Sequence, residues 1–261
     1  MMSMREQLQN AVGKGHLSYS SAKYALGDMR LWEMYMRGQL KKESDALTFG
    51  TLYDMLLFER DKAMQTYTIL SDDAILEKCS AKTKDAKRPS MTSEYKLVKQ
   101  DMAKQAEANG KIICSPGDWK QANEMIDRLD QCGLLNTYLK GQYQVEFNED
   151  IDGIPVKGFL DCLGDGFITD SKSSRGINKF RYDVKGWSYD IQAYIYTKVF
   201  GIKDYYWVVQ EKTYPYYPAL VKCSEETLFT GEMKFNEAVS NIKRWLDEGK
   251  PSENNYAQFT V

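Results

Sequence analysis

The sequence predicts one α/β domain of the α+β kind, a central mixed β-sheet flanked by helices, with the helical part ahead of the sheet. Three observations predict it. Up to about residue 139, apolar residues recur at helical spacing, as in "LSYSSAKYALGDMRLWEMYMRG". From about residue 140 the chain breaks into short runs rich in β-branched and aromatic residues: "YQVEFN", "IPVKGFLD", "GFITDS", "YYWVVQ" and "ALVKC". No repeat and no low-complexity linker divides the 261 residues, a length that one domain can fill.

Taken in order, a first helix follows the serines near Ser18, which suit an N-cap. A second covers "ALTFGTLYDMLLFERDKAM". "TYTIL" reads as a short strand and "KRPSMTSEY" as a loop. Helices then run from Glu94 to about Asn109 and from Pro116 to about Gly133. Within the sheet-bearing core, about 140–249, the helix "GWSYDIQAYIYTKVFG" interrupts the strands and is stopped by Gly201. A last helix starts at a Ser224 cap and stops at Gly249, leaving 250–261 as an extended tail.

Composition removes several classes of function. No run of eighteen apolar residues exists, so no transmembrane helix is expected. "MMSMREQLQN" lacks the apolar stretch of a signal peptide, which points to the cytoplasm. Cys79, Cys114, Cys132, Cys162 and Cys223 are odd in number, scattered and without a CxxC pair, which argues against disulfides and zinc. One histidine, His16, is too few for a His-rich metal site or a Ser-His hydrolase. A net charge of −2 does not advertise a polyanion partner, yet Lys82, Lys84, Lys87, Arg88, Lys96 and Lys99 cluster against Asp85 and Glu94. That cluster fits either a solvated surface or a patch that tracks a nucleic-acid backbone.

The stretch that carries chemistry is "GFLDCLGDGFITDSKSS", residues 158–174. Asp165-Gly166 is a two-residue hairpin signal, and closing the turn there sets Leu163 opposite Ile168 and Asp161 opposite Asp170. Opposed side chains have Cβ atoms about 4.5–5.5 Å apart, and like charges at that distance repel. Lys172 shares the face of Asp170, because side chains alternate along a strand. A proton or a cation must settle the repulsion, and hard oxygen ligands suit Mg²⁺ or Mn²⁺. Ser171 can add its backbone carbonyl. An acid-x-Lys triplet alone means nothing, since the chain holds seven; only the one at Asp170 ends an apolar strand and faces a second acid across a turn. The competing reading is an exposed hairpin in which Lys172 offsets surface acids.

With their neighbours, these residues resemble the PD-(D/E)xK nuclease superfamily, and more narrowly phage recombination exonucleases of the RecE type and RecB-like nuclease domains. Five stretches carry the resemblance, in the superfamily's order, over roughly residues 17 to 200. They are "LSYSSAKYAL", "LTFGTLYDMLLFE", "ANGKIICSPGDWKQANEMIDRL", "GIPVKGFLD…ITDSKSS" and "YDIQAYIY". The resemblance implies a restriction-endonuclease-like core with Asp161, Asp170 and the Ser171 carbonyl around Mg²⁺ or Mn²⁺. It implies that Lys172 orients and helps deprotonate the attacking water, and it adds Gln192 to the catalytic group. Gln192 and Tyr196, one helical turn apart, would face the active site, with Tyr196 touching the scissile strand; ordinary helix packing is the alternative for both. Asp54 stands where the superfamily has a histidine metal ligand, so either a carboxylate keeps that role or a metal site is weakened and activity lost.

Ser18, Ser20, Lys23 and Arg30 are implied as a pocket for a terminal 5′ phosphate, and Ser173, Ser174 and Arg175 as holders of DNA phosphates. Glu124 or Asp127 would offer one more metal carboxylate. The run "YYWVVQEKTYPYYPAL" reads as strand core around a Pro turn rather than as a base-stacking platform. The function so implied is a Mg²⁺-dependent exonuclease that degrades linear double-stranded DNA from an end. It would be phage-encoded, serve recombination in the host cytoplasm, and work with a single-strand annealing protein as a ring-shaped homo-oligomer, with no membrane contact. The alternatives are a structure-specific or nicking endonuclease on the same core and a catalytically inactive DNA-binding protein. Iron–sulfur members are set aside, because their cysteine quartet is missing.

Overall fold

Capping residues fix where the first helices begin. In the computed structural model, which describes residues 2–40 and 45–248 (the side chains of 45–47 excepted), Ser3 caps α1 (Met4–Val12), Ser18 caps α2 (Tyr19–Gly27) and Asp28 caps α3 (Met29–Met36). The first helix that the sequence predicts is thus two helices. Asp28 is extended, and its carboxylate accepts the Arg30 N–H at 2.8 Å, which starts a new helix. The second expected helix also divides, at Glu59, into α4 (Asp45–Phe58) and α5 (Arg60–Thr66).

β1 (Tyr67–Ile69) follows, then α6 (Asp72–Glu77), α7 (Ala81–Lys84), α8 (Ser93–Ala108), β2 (Ile112–Cys114) and α9 (Pro116–Gln131). Periodicity finds α8 and α9 but not α6 and α7, which are too short to show a repeat. β3 (Gln142–Ile151), β4 (Ile154–Leu163) and β5 (Phe167–Ser174) come next, then α10 (Phe180–Gly186), α11 (Tyr189–Phe200), β6 (Asp204–Glu211), β7 (Pro218–Lys222) and α12 (Glu225–Glu248). The helix expected over 186–201 is α11 alone, with α10 before it. The expected tail, 250–261, lies outside the described residues.

Of the described residues, those within Met1–Lys42, Leu134–Glu211 and Tyr217–Val261 form one compact unit, and those within Glu43–Gly133 and Lys212–Tyr216 form another. The second unit is helical, with β1 and β2 paired in parallel. In it, Glu94 accepts hydrogen bonds from the Ser80 N–H at 2.9 Å, the Ser80 hydroxyl at 2.6 Å and the Thr83 hydroxyl. These bonds hold its carboxyl down to about 2.

The first unit is built on a mixed sheet in the order β3-β4-β5-β6-β7, antiparallel except for the parallel pair β5–β6. The crossover between the parallel strands supplies α10 and α11. Residues 190–196 of α11 are all buried, among them Ile191 and Ile195. Each such apolar side chain contributes about 1.5–3 kcal/mol. Phe235, Ala238 and Ile242 of α12 join the same core. Gly231 permits the approach of α12 to α11, since a Cβ there would overlap the carbonyl oxygen of Asp190.

The β4–β5 hairpin has the predicted register, with Leu163 opposite Ile168 and Cys162 opposite Thr169. Of the turn residues, only Gly166 (φ 80°) is left-handed. After those two residue pairs the strands part. The β4 groups left on that side find other partners, as buried backbone groups must. The Phe159 carbonyl accepts the Tyr196 hydroxyl at 2.8 Å, while the Pro155 carbonyl and the Lys157 N–H bond Leu17, each at 2.8 Å.

Two outcomes test these accounts. Gly231→Ala gains about 1 kcal/mol of helix propensity but overpacks a backbone carbonyl, which costs about 1–3 kcal/mol or more. A thermal melt should therefore show a midpoint lower by about 2 °C or more; a higher midpoint would contradict the close packing. Because the Glu94 pKa is depressed, its stabilisation is complete above the ordinary glutamate value of 4.5 and is lost as pH falls toward about 2. Glu94→Gln should accordingly lose less stability than the parent over that window, measured by denaturant titration, and identical pH slopes would refute the assignment.

Candidate active site

Of the predicted residues, Asp161, Asp170, Ser171, Lys172 and Gln192 gather at the fork between β4 and β5. Along β5 the side chains alternate, so that Asp170 and Lys172 share one face of the strand. Asp170 is 0% exposed and its Oδ2 forms an ion pair with Lys172 Nζ. Its Oδ1 accepts a hydrogen bond from Gln192 Nε2 at 2.8 Å. Lys172 Nζ also donates to the Ser171 carbonyl at 3.4 Å and lies 5.0 Å from the centroid of the Tyr189 ring.

Asp161 sits at irregular backbone on both sides. Toward β5 its Oδ2 accepts the Ser171 N–H at 3.0 Å, so a side chain takes the place of a strand carbonyl. Toward β3 the ladder pairs Tyr143 with Cys162 and Val145 with Leu160 but skips Gln144, whose φ is 49°. Gln144 Nε2 approaches Asp161 Oδ1 at 3.5 Å. The expected direct pairing of Asp161 with Asp170 is thus replaced by a fork that keeps the carboxylates close without a regular ladder between them.

Burial pushes the Asp170 carboxyl well up, and the Asp161 charge adds to this while Lys172 opposes it. For Lys172, burial disfavours the ammonium, yet the negative charges of Asp170 and Asp161 outweigh burial and raise its pKa. The two acidic neighbours of Lys172 thus favour its ammonium form.

The other predicted residues separate by what they touch. Tyr196 is buried, donates its hydroxyl to Phe159 and packs edge-on against Phe147 at 5.4 Å, so it belongs to the core rather than to a DNA-facing surface. Its hydroxyl also lies 3.3 Å from Gln192 Nε2. Ser18 accepts the Ser21 N–H as the α2 cap, and Ser20 sits half-buried on that helix. Arg30 is bound by both oxygens of Asp28. Lys23 lies 4.5 Å from the Trp187 ring centroid. Ser173 is half-buried, the Ser174 hydroxyl accepts the Gly176 N–H at 3.2 Å, and Arg175 is exposed. Asp54, on α4, and Glu124 and Asp127, on α9, belong to the second unit; Glu124 accepts the Tyr216 hydroxyl at 3.2 Å.

Among the described residues no group of three or more His, Cys, Asp or Glu side chains is placed to hold a metal ion. The oxygens at the fork nonetheless suit a hard cation. The carboxylates of Asp161 and Asp170 and the carbonyl of Ser171 converge there, and the Lys172 ammonium contacts two of the three residues. Gln192 Oε1 is buried with no hydrogen-bond partner, an acceptor available to water.

Two residues at the fork were not anticipated. Tyr189 precedes Gln192 by three positions on α11, a spacing that puts both on one face and was visible in the sequence. Tyr19 has no such signal; the entry of α2 brings its ring 6.3 Å from that of Tyr189. Replacing Tyr196 with Phe should cost about 1–3 kcal/mol, by leaving the Phe159 carbonyl without its donor. Calorimetry reads the loss and a DNA-binding titration should stay level; weaker DNA binding with unchanged stability would restore the DNA-contact role.

No curated protein matches the chain. A crystal structure described as "Putative exonuclease" from Eubacterium rectale has a similar fold, with a TM-score of 0.61 and 17% identity, over 99% of this chain and 94% of that one. The family model described as "PDDEXK-like domain of unknown function (DUF3799)" matches residues 31–255. That span takes in the hairpin, the fork and α11, and the chain belongs to this PDDEXK-like family, within the PD-(D/E)xK nuclease superfamily.

Proposed function

We propose that this protein hydrolyses DNA phosphodiester bonds with a divalent ion, removing nucleotides from an end of linear double-stranded DNA. One observation carries the reading: two aspartates from neighbouring strands meet at a fork, with Lys172 on one of them and Gln192 fixing the same one. Asp161, Asp170 and the Ser171 carbonyl would hold Mg²⁺ or Mn²⁺. Such an ion, when bound, offsets phosphate charge and lowers the pKa of its water. Lys172, as a cation, orients the attacking water and offsets the charge that develops on the phosphate oxygens. Gln192 keeps the Asp170 carboxylate in place through Nε2. Ser173 and Arg175, just past these residues, are positioned in sequence to meet the phosphate backbone.

Attack from an end is supported by the description of the Eubacterium rectale structure and by the resemblance to recombination exonucleases. Phage recombination, an annealing partner, a ring assembly and a cytoplasmic setting belong to the same proposal. A metal-ligand role for Asp54, as a carboxylate in place of the superfamily histidine, is part of the same proposal.

End-labelled linear duplex and closed circular duplex, each with and without Mg²⁺, separate the activities on a gel. Loss of linear DNA alone is the expected outcome. Nicked circles would replace the exonuclease by an endonuclease, and intact DNA of both kinds, with binding retained, would leave a DNA-binding protein. The variant must keep the fold. Asp170→Ala would take from the half-buried Lys172 ammonium its ion-pair partner and so threaten the fold itself. Asp161→Asn is cleaner, because its amide oxygen can still accept the Ser171 N–H while the charge is gone. It should cut at least about a hundredfold more slowly with its melting point nearly kept; undiminished cutting would sink the assignment.

A further inference from the structure

The crossover from β5 to α11 has a surface of its own. Residues 175–187, "RGINKFRYDVKGW", place Arg175, Lys179, Arg181 and Lys185 against one acid, Asp183, and all four cations are exposed. Two large rings stand among them, Tyr182 at 62% and Trp187 at 54% exposure. Apolar packing explains neither, since the neighbouring Phe180 and Val184 are the residues that face the core. Arg181 lies 4.7 Å from the Tyr182 ring centroid and bonds its hydroxyl at 2.9 Å, while Lys23 of α2 lies over Trp187.

This surface borders the fork. Tyr19 donates its hydroxyl to the Trp187 carbonyl, and its ring neighbours Tyr189, the ring beneath Lys172. Phe180 stacks on Tyr189 from the α10 side, with centroids 6.0 Å apart. Ser188, left-handed at φ 58°, makes the turn that leaves Trp187 outside while α11 enters the core.

We infer that Tyr182 and Trp187 each offer a stacking position to an unpaired DNA strand beside the active site, with Lys23, Arg181 and Lys185 tracking its phosphates. The chemistry favours an unpaired strand because only unpaired bases offer their faces to a protein ring, while cations alone would serve a duplex equally. The inference builds on the proposed nuclease reading and narrows its substrate to an end whose last nucleotides are frayed or overhanging.

The test is fluorescence anisotropy with a labelled oligothymidylate, in chelator so that nothing is cut. Trp187→Ala and Tyr182→Ala should each weaken binding about tenfold, Trp187→Phe should recover most of the loss, and thermal melts should match the parent because both rings are exposed. Unchanged affinity in both alanine variants would overturn the stacking inference. So would a blunt duplex of equal length that binds as tightly as the single strand, or an oligouridylate that binds more tightly, which would assign the surface to RNA. Binding without cutting in Mg²⁺ would defeat the nuclease reading alone, and cutting with alanine variants that bind normally would defeat the stacking inference alone.

Discussion

Asp170 lies buried on β5 with the half-buried Lys172 on the same face, and an ion pair so withdrawn from water is secure only while each charge keeps its partner. Desolvation alone would discharge both groups. Their mutual attraction opposes this: it favours the Lys172 ammonium, while burial still pushes the Asp170 carboxyl well up and the Gln192 amide donates to it. The helix that delivers Gln192 must therefore be held firmly. Lys234 of α12 reaches Asp190 near the start of α11 at 2.6 Å, and Gly231 lets α12 approach the same residue closely. The core behind the site is thus arranged around one carboxylate.

The strand fork follows from the same demand. A regular ladder would occupy the Ser171 N–H with a β4 carbonyl and leave no room for a second carboxylate. Parting the strands lets Asp161 take that N–H, while Tyr196 and Leu17 satisfy what β4 has left exposed. The left-handed Gln144 on the other side shows that the irregularity extends across Asp161 into β3. Backbone strain of this kind is tolerated where the surroundings over-determine it, and it gathers at functional sites.

The segment after β5 joins this centre to solvent. It runs from exposed Arg175 through α10 to Trp187 and returns to the core at Ser188, so one short crossover carries both a cationic surface and the entry to α11. Its aromatic residues divide by depth: Phe180 and Tyr189 pack toward Lys172, while Tyr182 and Trp187 remain outside.

Much of this was legible in the sequence, because turn chemistry and strand alternation are local. Asp165-Gly166 set the hairpin register, alternation put Lys172 with Asp170, and four-residue spacing put Gln192 with Tyr196. Helix breaks at Asp28 and Glu59 were missed, since apolar periodicity continues through both. Tertiary structure alone decided that the β4–β5 ladder ends after two pairs, that Tyr196 spends its hydroxyl in the core, and that the Lys172 ammonium lies against the Asp170 carboxylate. Each depends on which groups burial brings together from distant parts of the chain, and on the free energy of desolvating them, which no local pattern encodes.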